Sequence, residues 1–504
     1  MKKLTKATSI ILLFAMLLSA MVSCGNDNSE FEKLDDRQKA VYVVEKTDEY
    51  YKNSVEQIAA ISCEIDGTIN GIAMKMELDG TAKRIVTNDG TDKMRYINSS
   101  EVKSVTRTGT EKDTESYTDL TAFADGYMYM GYTTDKDGEP DIYLKSPVSA
   151  NEFSDFLKKA NIESEDVKYA EICDNVAVTL SEDGKTYSIK ITHGSDNVKE
   201  ELTKLTNEIT RASFGIKFDL VSFELEYTVD AKTLVLTKHK IKFVTETPKF
   251  GTDQLKLTYE SEITNKKAEK EPTIENLANY TETGDLRYAY FLSNRLKGLI
   301  SAESVGYTME SKSEAKSGSQ TESLSETDVI NCGFKNNTYV YSIDANAVLS
   351  GQKVDMSIVY NGAQQKIAVK GGASQSTDTN EIIARMYLMN ILNPVLYSAN
   401  DVTGITVKGT ENDVTTVEFE FVLDDRFENR FASLGIAAEI SNGSVKMTVK
   451  FDKEMNVTYV HYKMSGEAKT MGQTIRMEGE TILKDFAAGD VSGITTVKPG
   501  SSDL

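Results

Sequence analysis

Three histidines, His193, His239 and His461, and four cysteines, Cys24, Cys63, Cys173 and Cys332, stand among 504 residues. Nucleophilic or acid–base catalysis needs a nucleophile beside a base, or a metal cluster, and these side chains are too few and too scattered to suggest either. His239 and His461 lie 222 residues apart, each among Lys and Thr or Tyr in strand-like sequence. A repeated hairpin position accounts for both better than a shared catalytic base. Asp135-Lys136-Asp137-Gly138-Glu139-Pro140-Asp141 is rich in carboxylates but lacks the spaced ligands and terminal Glu of a calcium loop, so it reads as a solvated hairpin tip. Gly404 to Thr410 spaces its glycines like a phosphate loop without the lysine. Met74, Met76, Met128, Met130, Met386 and Met389 fit core filling, with a pliable apolar pocket as the alternative. No catalytic residue, cofactor or metal site is expected.

Cys24 has a different chemistry. Lys2, Lys3 and Lys6 precede an uncharged, mostly apolar run from Ala7 to Val22, which Ser23 and Cys24 close. That order is an export signal, too short and too abruptly ended for a spanning helix. Met21-Val22-Ser23-Cys24 resembles the bacterial lipobox, with Met21 in place of the usual Leu. The resemblance implies cleavage before Cys24 and acylation of its thiol, with palmitate-like chains. One chain binds a membrane only marginally, whereas a diacylglyceryl group is a stable tether. Gly25-Asn26-Asp27-Asn28-Ser29-Glu30 then reads as a flexible spacer. Ser195-Asp196-Asn197 matches an element of penicillin-binding enzymes, but no K-T-G follows, and the S-x-x-K matches at Ser100 to Lys103 and Ser350 to Lys353 fall in strand or loop sequence. Cys63, Cys173 and Cys332 are odd in number, with no C-x-x-C and no zinc spacing. Buried free thiols are expected, with a Cys63–Cys173 bridge as the alternative.

The net charge is −21, and −24 without the three signal lysines. Such a surface repels nucleic acid and anionic lipid, so the lipid on Cys24 is expected to hold the protein to the extracytoplasmic face of the cell membrane. The length exceeds one ordinary core.

Internal repeats organise that length. Ala212-Ser213-Phe214-Gly215-Ile216 recurs as Ala432-Ser433-Leu434-Gly435-Ile436. A hairpin follows each: Phe223 to Lys242 with Asp230 at the turn and His239 in the return, and Val445 to Met464 with Asp452 and His461 at the same relative places. Thr114-Glu115-Ser116 before Tyr127-Met128-Tyr129 matches Thr321-Glu322-Ser323 before Tyr339-Val340-Tyr341. Each copy should open with a helix, capped by Asp35 or Asp36 in the first and by Asp285 in the second. A second helix is expected at Asn151 to Ala160 and at Asp378 to Leu392. Asp79-Gly80, Asp89-Gly90 and Asp183-Gly184 are turn signals. The ordering predicts an α+β chain: a signal (1–23), a lipidated spacer (24–34), a first domain (35–264), a charged linker (265–284), a second domain (285–487) and a tail (488–504). Each domain should be a curved antiparallel sheet, a half-open barrel, packed against helices.

The opening helix, the repeated aromatic strand and the final hairpin with Asp230 or Asp452 resemble the LolA-type fold of periplasmic lipoprotein carriers and LppX/LprG-type lipid-carrying lipoproteins. The resemblance implies an apolar cavity for acyl chains; the tandem units and the lipid on Cys24 depart from the soluble carrier, and together they point to a non-enzymatic membrane-anchored protein that binds a lipid or an acylated protein. It names no ligand residue. A cell-envelope scaffold with a filled core and no cavity is the alternative.

Overall fold

The computed structural model describes residues 30–69, 71–135, 141–159, 166–204, 218–301, 304–317, 320–336, 338–349, 351–391, 399–422, 439–470 and 473–497. Helix α1 (Asp36–Tyr51) opens the first unit. Asp35 caps it: its carboxylate accepts from Gln38 N–H (2.8 Å), while the Gln38 side chain accepts from Asp35 N–H (3.1 Å). Six strands follow: β1 (Ser54–Ile69), β2 (Ile72–Thr87), β3 (Arg95–Thr108), β4 (Glu111–Ala124), β5 (Tyr127–Thr134) and β6 (Ile142–Pro147). Helices α2 (Ala150–Lys159) and α3 (Asp166–Ile172) lead to β7 (Asn175–Leu180) and β8 (Thr186–Thr192). Three longer strands close the unit: β9 (Asp219–Asp230), β10 (Leu236–Glu246) and β11 (Gln254–Lys266).

A short strand, β12 (Thr281–Glu282), precedes helix α4 (Arg287–Ser301). The second unit then repeats the plan. Its first six strands are β13 (Ser304–Ser317), β14 (Gln320–Lys335), β15 (Thr338–Leu349), β16 (Gln352–Tyr360), β17 (Gln364–Val369) and β18 (Ser374–Asp378). Helix α5 (Glu381–Ile391) leads to β19 (Val402–Glu411) and β20 (Val414–Val422), and then to β21 (Glu439–Phe451), β22 (Val457–Thr470) and β23 (Gln473–Ala487).

The strands form two open antiparallel sheets, neither closed into a barrel. The first runs β12-β6-β5-β4-β3-β2-β1-β11-β10-β9-β8-β7 and the second β18-β17-β16-β15-β14-β13-β23-β22-β21-β20-β19. Apart from the parallel β12, the two orders are the same permutation. In each, the unit's first strand pairs with its last: Glu56 opposite Lys266 and Lys316 opposite Arg476.

This frame sorts the sequence matches. The two hairpins with Asp230 and Asp452 fall on the ninth and tenth strands of their units, so they are structurally equivalent. At each turn an aspartate accepts from backbone N–H groups: Asp230 from Lys232 and Thr233, Asp452 from Glu454 and Asn456. The aromatic match is not equivalent. Tyr127-Met128-Tyr129 lies on a fifth strand and Tyr339-Val340-Tyr341 on a third, and the paired Thr-Glu-Ser motifs are displaced likewise. Strands alternating at period two resemble one another wherever they sit, which explains the false alignment. The pentapeptides at Ala212 and Ala432 lie outside the described residues.

Asp79-Gly80 also proves to be no turn. It sits inside β2, where a side chain on residue 80 would come within 2.9 Å of the Glu101 carbonyl and 3.2 Å of Val102. The glycine serves close strand approach. Asn88 to Thr91 does turn the chain, with Thr91 N–H donating to the Asn88 carbonyl (3.2 Å). Within 265–284, Asn265 and Lys266 belong to β11 and Thr281–Glu282 extends the first sheet.

The core is shared. One apolar cluster joins Tyr96, Phe123, Met128 and Met130 of the first sheet, Phe153 and Phe156 of α2, Leu292 and Leu296 of α4, and the inner face of the second sheet. Helix α4 therefore serves both units. Phe156 meets Tyr290 (5.4 Å between centroids) and Phe291 (5.8 Å) edge to face, while Tyr288 meets Phe451 of β21 (5.1 Å). A second cluster lies under the other half of the first sheet, where Ala40, Val43 and Val44 of α1 meet Leu225, Tyr227 and Leu257. Ile382 of α5 joins it, and Asn380 Nδ2 donates to Oδ2 of the buried Asp253 (3.0 Å), just before β11.

Candidate functional site

Two grooves occupy comparable places on the two sheets. The larger, about 1010 Å³, crosses β11, β1, β2, β3, β4 and β5; its walls include Ser62, Asp79, Thr81, Glu101, Lys103 and Glu260. The smaller, about 590 Å³, crosses β21, β22, β23, β13, β14 and β15; its walls include Lys312, Glu314, Lys446, Lys463, Glu478 and Glu480. Both include the first, second, third and last strands of their unit. Strand alternation places these charged walls on the exposed face: Ser62, Asp79 and Lys103 are exposed, whereas Cys63 is buried and Leu78 packs into the first unit's core. The same holds in the second unit, where exposed Lys446 and Lys463 alternate with buried Val445 and Tyr462.

Ion pairs line both grooves. Lys240 Nζ lies 2.5 Å from Glu260 Oε1, and this bond holds the Glu260 carboxyl below its usual range. Lys238 pairs with Glu262 at 2.7 Å. In the second groove His461 Nε2 lies 3.3 Å from Glu480 Oε2, which lowers the Glu480 pKa, and Lys312 lies 3.6 Å from the same carboxylate.

The residues singled out for chemistry do not converge. His239 is buried on β10 between Tyr227 and Ile263, whereas His461 lies half-buried on the other sheet between Thr448 and Ile482. His193 follows β8. Ser195 lies at a turn organised by Asp174, which accepts from Gly194 N–H (2.7 Å) and from the Ser195 hydroxyl. Asp135 accepts from Ser116 N–H (2.8 Å). Gly404 to Thr410 runs along β19. Met128 and Met130 are fully buried and Met74 and Met76 pack against the first unit's core, while the side chains of Met386 and Met389 lie outside the description. Cys63, Cys173 and Cys332 are free and buried, and burial pushes their thiols up to about 11, 12 and 11. Cys24 lies outside the described residues. Among the described residues, no group of three or more His, Cys, Asp or Glu is placed to hold a metal ion.

Two buried charged side chains went unnoticed in the sequence. Arg385 is almost wholly buried, its Nη2 2.8 Å from Glu381 Oε1 and its guanidinium 3.6 Å from the centre of the Tyr339 ring. On the inner face of β14, Asp328 is 1% exposed, and burial, reinforced by Glu326, raises its carboxyl to about 8. The signal was present: Arg385 stands among Ile382, Ala384 and Leu388, and Asp328 alternates with Ile330 and Cys332. A charge on an apolar stripe is costly unless it is satisfied.

No protein family and no curated protein matches the chain. Among solved structures, the translocator domain of autotransporter NalP from Neisseria meningitidis is 6% identical, covering 89% of this chain and 94% of its own, with a TM-score of 0.14. A DUF1329 family protein from Desulfovibrio piger is 12% identical over 41% of this chain and 93% of its own (TM-score 0.16). A beta-barrel-like DUF1849 protein from Brucella abortus is 12% identical over 43% of this chain and 99% of its own (TM-score 0.15). Likenesses this slight carry no argument about function.

Proposed function

We propose that this chain is an exported lipoprotein, held by lipid on Cys24 at the extracytoplasmic face of the membrane, and that it works there as a non-enzymatic interaction module. In this reading the two units descend from one duplicated ancestor, and each is a half-open curved sheet packed on helices. The observation that carries it is the position of the helices. Phe153, Phe156, Leu292, Leu296, Ala384 and Leu388 belong to the same apolar cluster as the inner sheet faces, where a lipid carrier would keep room for acyl chains. The grooves meanwhile lie on the outer, solvent-facing sides of the sheets. Anchoring by lipid agrees with the acidic surface and with the helices, none of which, among the described residues, is long and apolar enough to cross a membrane.

Two measurements test the reading. A Cys24→Ser variant of the full chain should move from the membrane pellet to the soluble fraction and lose incorporated palmitate; retention in the membrane would refute the anchor. A native mass spectrum of that variant should show no stoichiometric lipid. A bound lipid would instead return the chain to the lipid-carrier class, which binds a lipid or an acylated protein.

A further inference from the structure

An exposed sheet edge carries a row of backbone N–H and C=O groups that a further strand will satisfy, and proteins usually cover or blunt such edges. Three of the four edges here are dealt with. At β7, Val178 N–H donates to Asp36 Oδ2 (3.1 Å), so the start of α1 blocks that strand. Beyond β12 and at the start of β19 the sheets meet each other: Gly284 N–H donates to the Ile405 carbonyl (2.8 Å) and Ile405 N–H to Thr283 Oγ1 (2.7 Å), and the exposed remainder of β19 is broken by a bulge between Val407 and Gly409. The fourth edge is β18, Ser374-Gln375-Ser376-Thr377-Asp378, and all five of its residues are exposed. Among the described residues β18 pairs only with β17. It contains no lysine, proline or bulge, and of the usual blunting devices it has only shortness.

We infer that β18 is a self-association edge, on which a second copy of this chain adds its own β18 to extend the second sheet. The register carries the inference. Thr379 N–H and the Ala373 carbonyl bond toward β17, so alternation turns the N–H and C=O of Ser374, Ser376 and Asp378 outward. An antiparallel pair centred on Ser376 sets Ser376 opposite Ser376 of the partner, Ser374 opposite Asp378, and Gln375 opposite Thr377. Every outward backbone group is then bonded. The only charged side chain in the strand, Asp378, faces serine rather than its own copy and already accepts from Gln364 Nε2 (2.9 Å). Such a two-fold contact is isologous and closes at two copies. A five-residue ladder is small, and confinement of both copies to one membrane would raise its occupancy.

The test uses the full chain in bacterial membranes and in detergent. Residues opposite each other in a hydrogen-bonded pair have Cα atoms about 5.5 Å apart, within disulfide reach. A Ser376→Cys variant should therefore cross-link to a dimer under mild oxidation, while the unaltered chain, whose described thiols are buried, should not. Ser376→Pro removes an N–H that points away from β17, so the fold tolerates it while the intermolecular ladder does not. Light scattering in detergent should give twice the monomer mass for the unaltered chain and the monomer mass for Ser376→Pro. A dimer that survives Ser376→Pro, or an unaltered chain that stays monomeric and a Ser376→Cys variant that fails to cross-link, would overturn the inference. Adding Cys24→Ser to each variant separates this result from anchoring: pairing at β18 should persist in solution at high concentration, whatever holds the chain to the membrane.

Discussion

Replacing Asp328 with asparagine should make the protein more resistant to unfolding at pH 8 and should flatten its dependence on pH. The carboxyl is 1% exposed on β14, and burial and Glu326 raise its pKa from 3.8 to about 8. Tyr307 of β13 and Tyr387 of α5 also feel its charge, and the burial of the pair raises Glu326 as well. The folded state thus keeps a proton that the unfolded state releases near pH 4. A raised acid contributes its full share of stability below pH 4 and loses it as pH climbs toward 8. The slope is up to about 1.4 kcal/mol per pH unit, so about 5 kcal/mol is the ceiling by pH 8. Asparagine keeps the size and a donor but carries no charge at any pH. Guanidinium unfolding of the full chain in detergent, at pH 5, 6, 7 and 8, should show midpoints that fall with pH in the unaltered protein and fall much less in Asp328→Asn. Curves that stay parallel, whatever the offset between them, would refute the buried proton.

Other substitutions probe the shared core and the sheet. Phe156→Ala removes a 2%-exposed ring that touches both Tyr290 and Phe291 and should cost about 3–5 kcal/mol. Because that ring joins the units, intrinsic fluorescence and circular dichroism should report one common, lowered transition; separate transitions would show independent units. Gly67→Ala places a methyl 2.0 Å from the Gln254 carbonyl, across the seam where β1 meets β11, and should severely destabilise the first sheet, with a lowered melting temperature as the measure. An unchanged melting temperature would mean that the seam is looser than described.

Local chemistry was legible wherever a few neighbouring residues decide the outcome. Asp35 with Gln38, the turn at Asp183-Gly184 and the matched aspartates 230 and 452 all act within five residues, and the hairpin equivalence survived for that reason. Asp79-Gly80 misled because the same dipeptide serves a turn or a crowded strand, and only the neighbouring Glu101 carbonyl distinguishes them. The aromatic strands misled because Tyr at alternate positions marks any strand with a buried face. The grooves and the doubly used helix α4 depend on distant partners such as Phe451 and Phe156, which no window of sequence brings together.

The pairing of β1 with β11 has a consequence for how the chain is made. Its partners, such as Ser62 and Glu260, are separated by nearly the whole first unit, and β13 with β23 repeats the arrangement. Loops of that length close slowly, because the chain entropy of joining their ends is lost before any contact rewards it. Helix α4, which completes the inner wall of the first unit, comes later still in the chain. Exported as proposed above, the chain would emerge with its first six strands and an open seam until β11 arrives, and with part of their apolar face uncovered until α4 follows. That interval is when proteolysis and misplaced strand pairing threaten the protein most, so its yield should be more sensitive to holding chaperones outside the cytoplasm than its folded stability suggests.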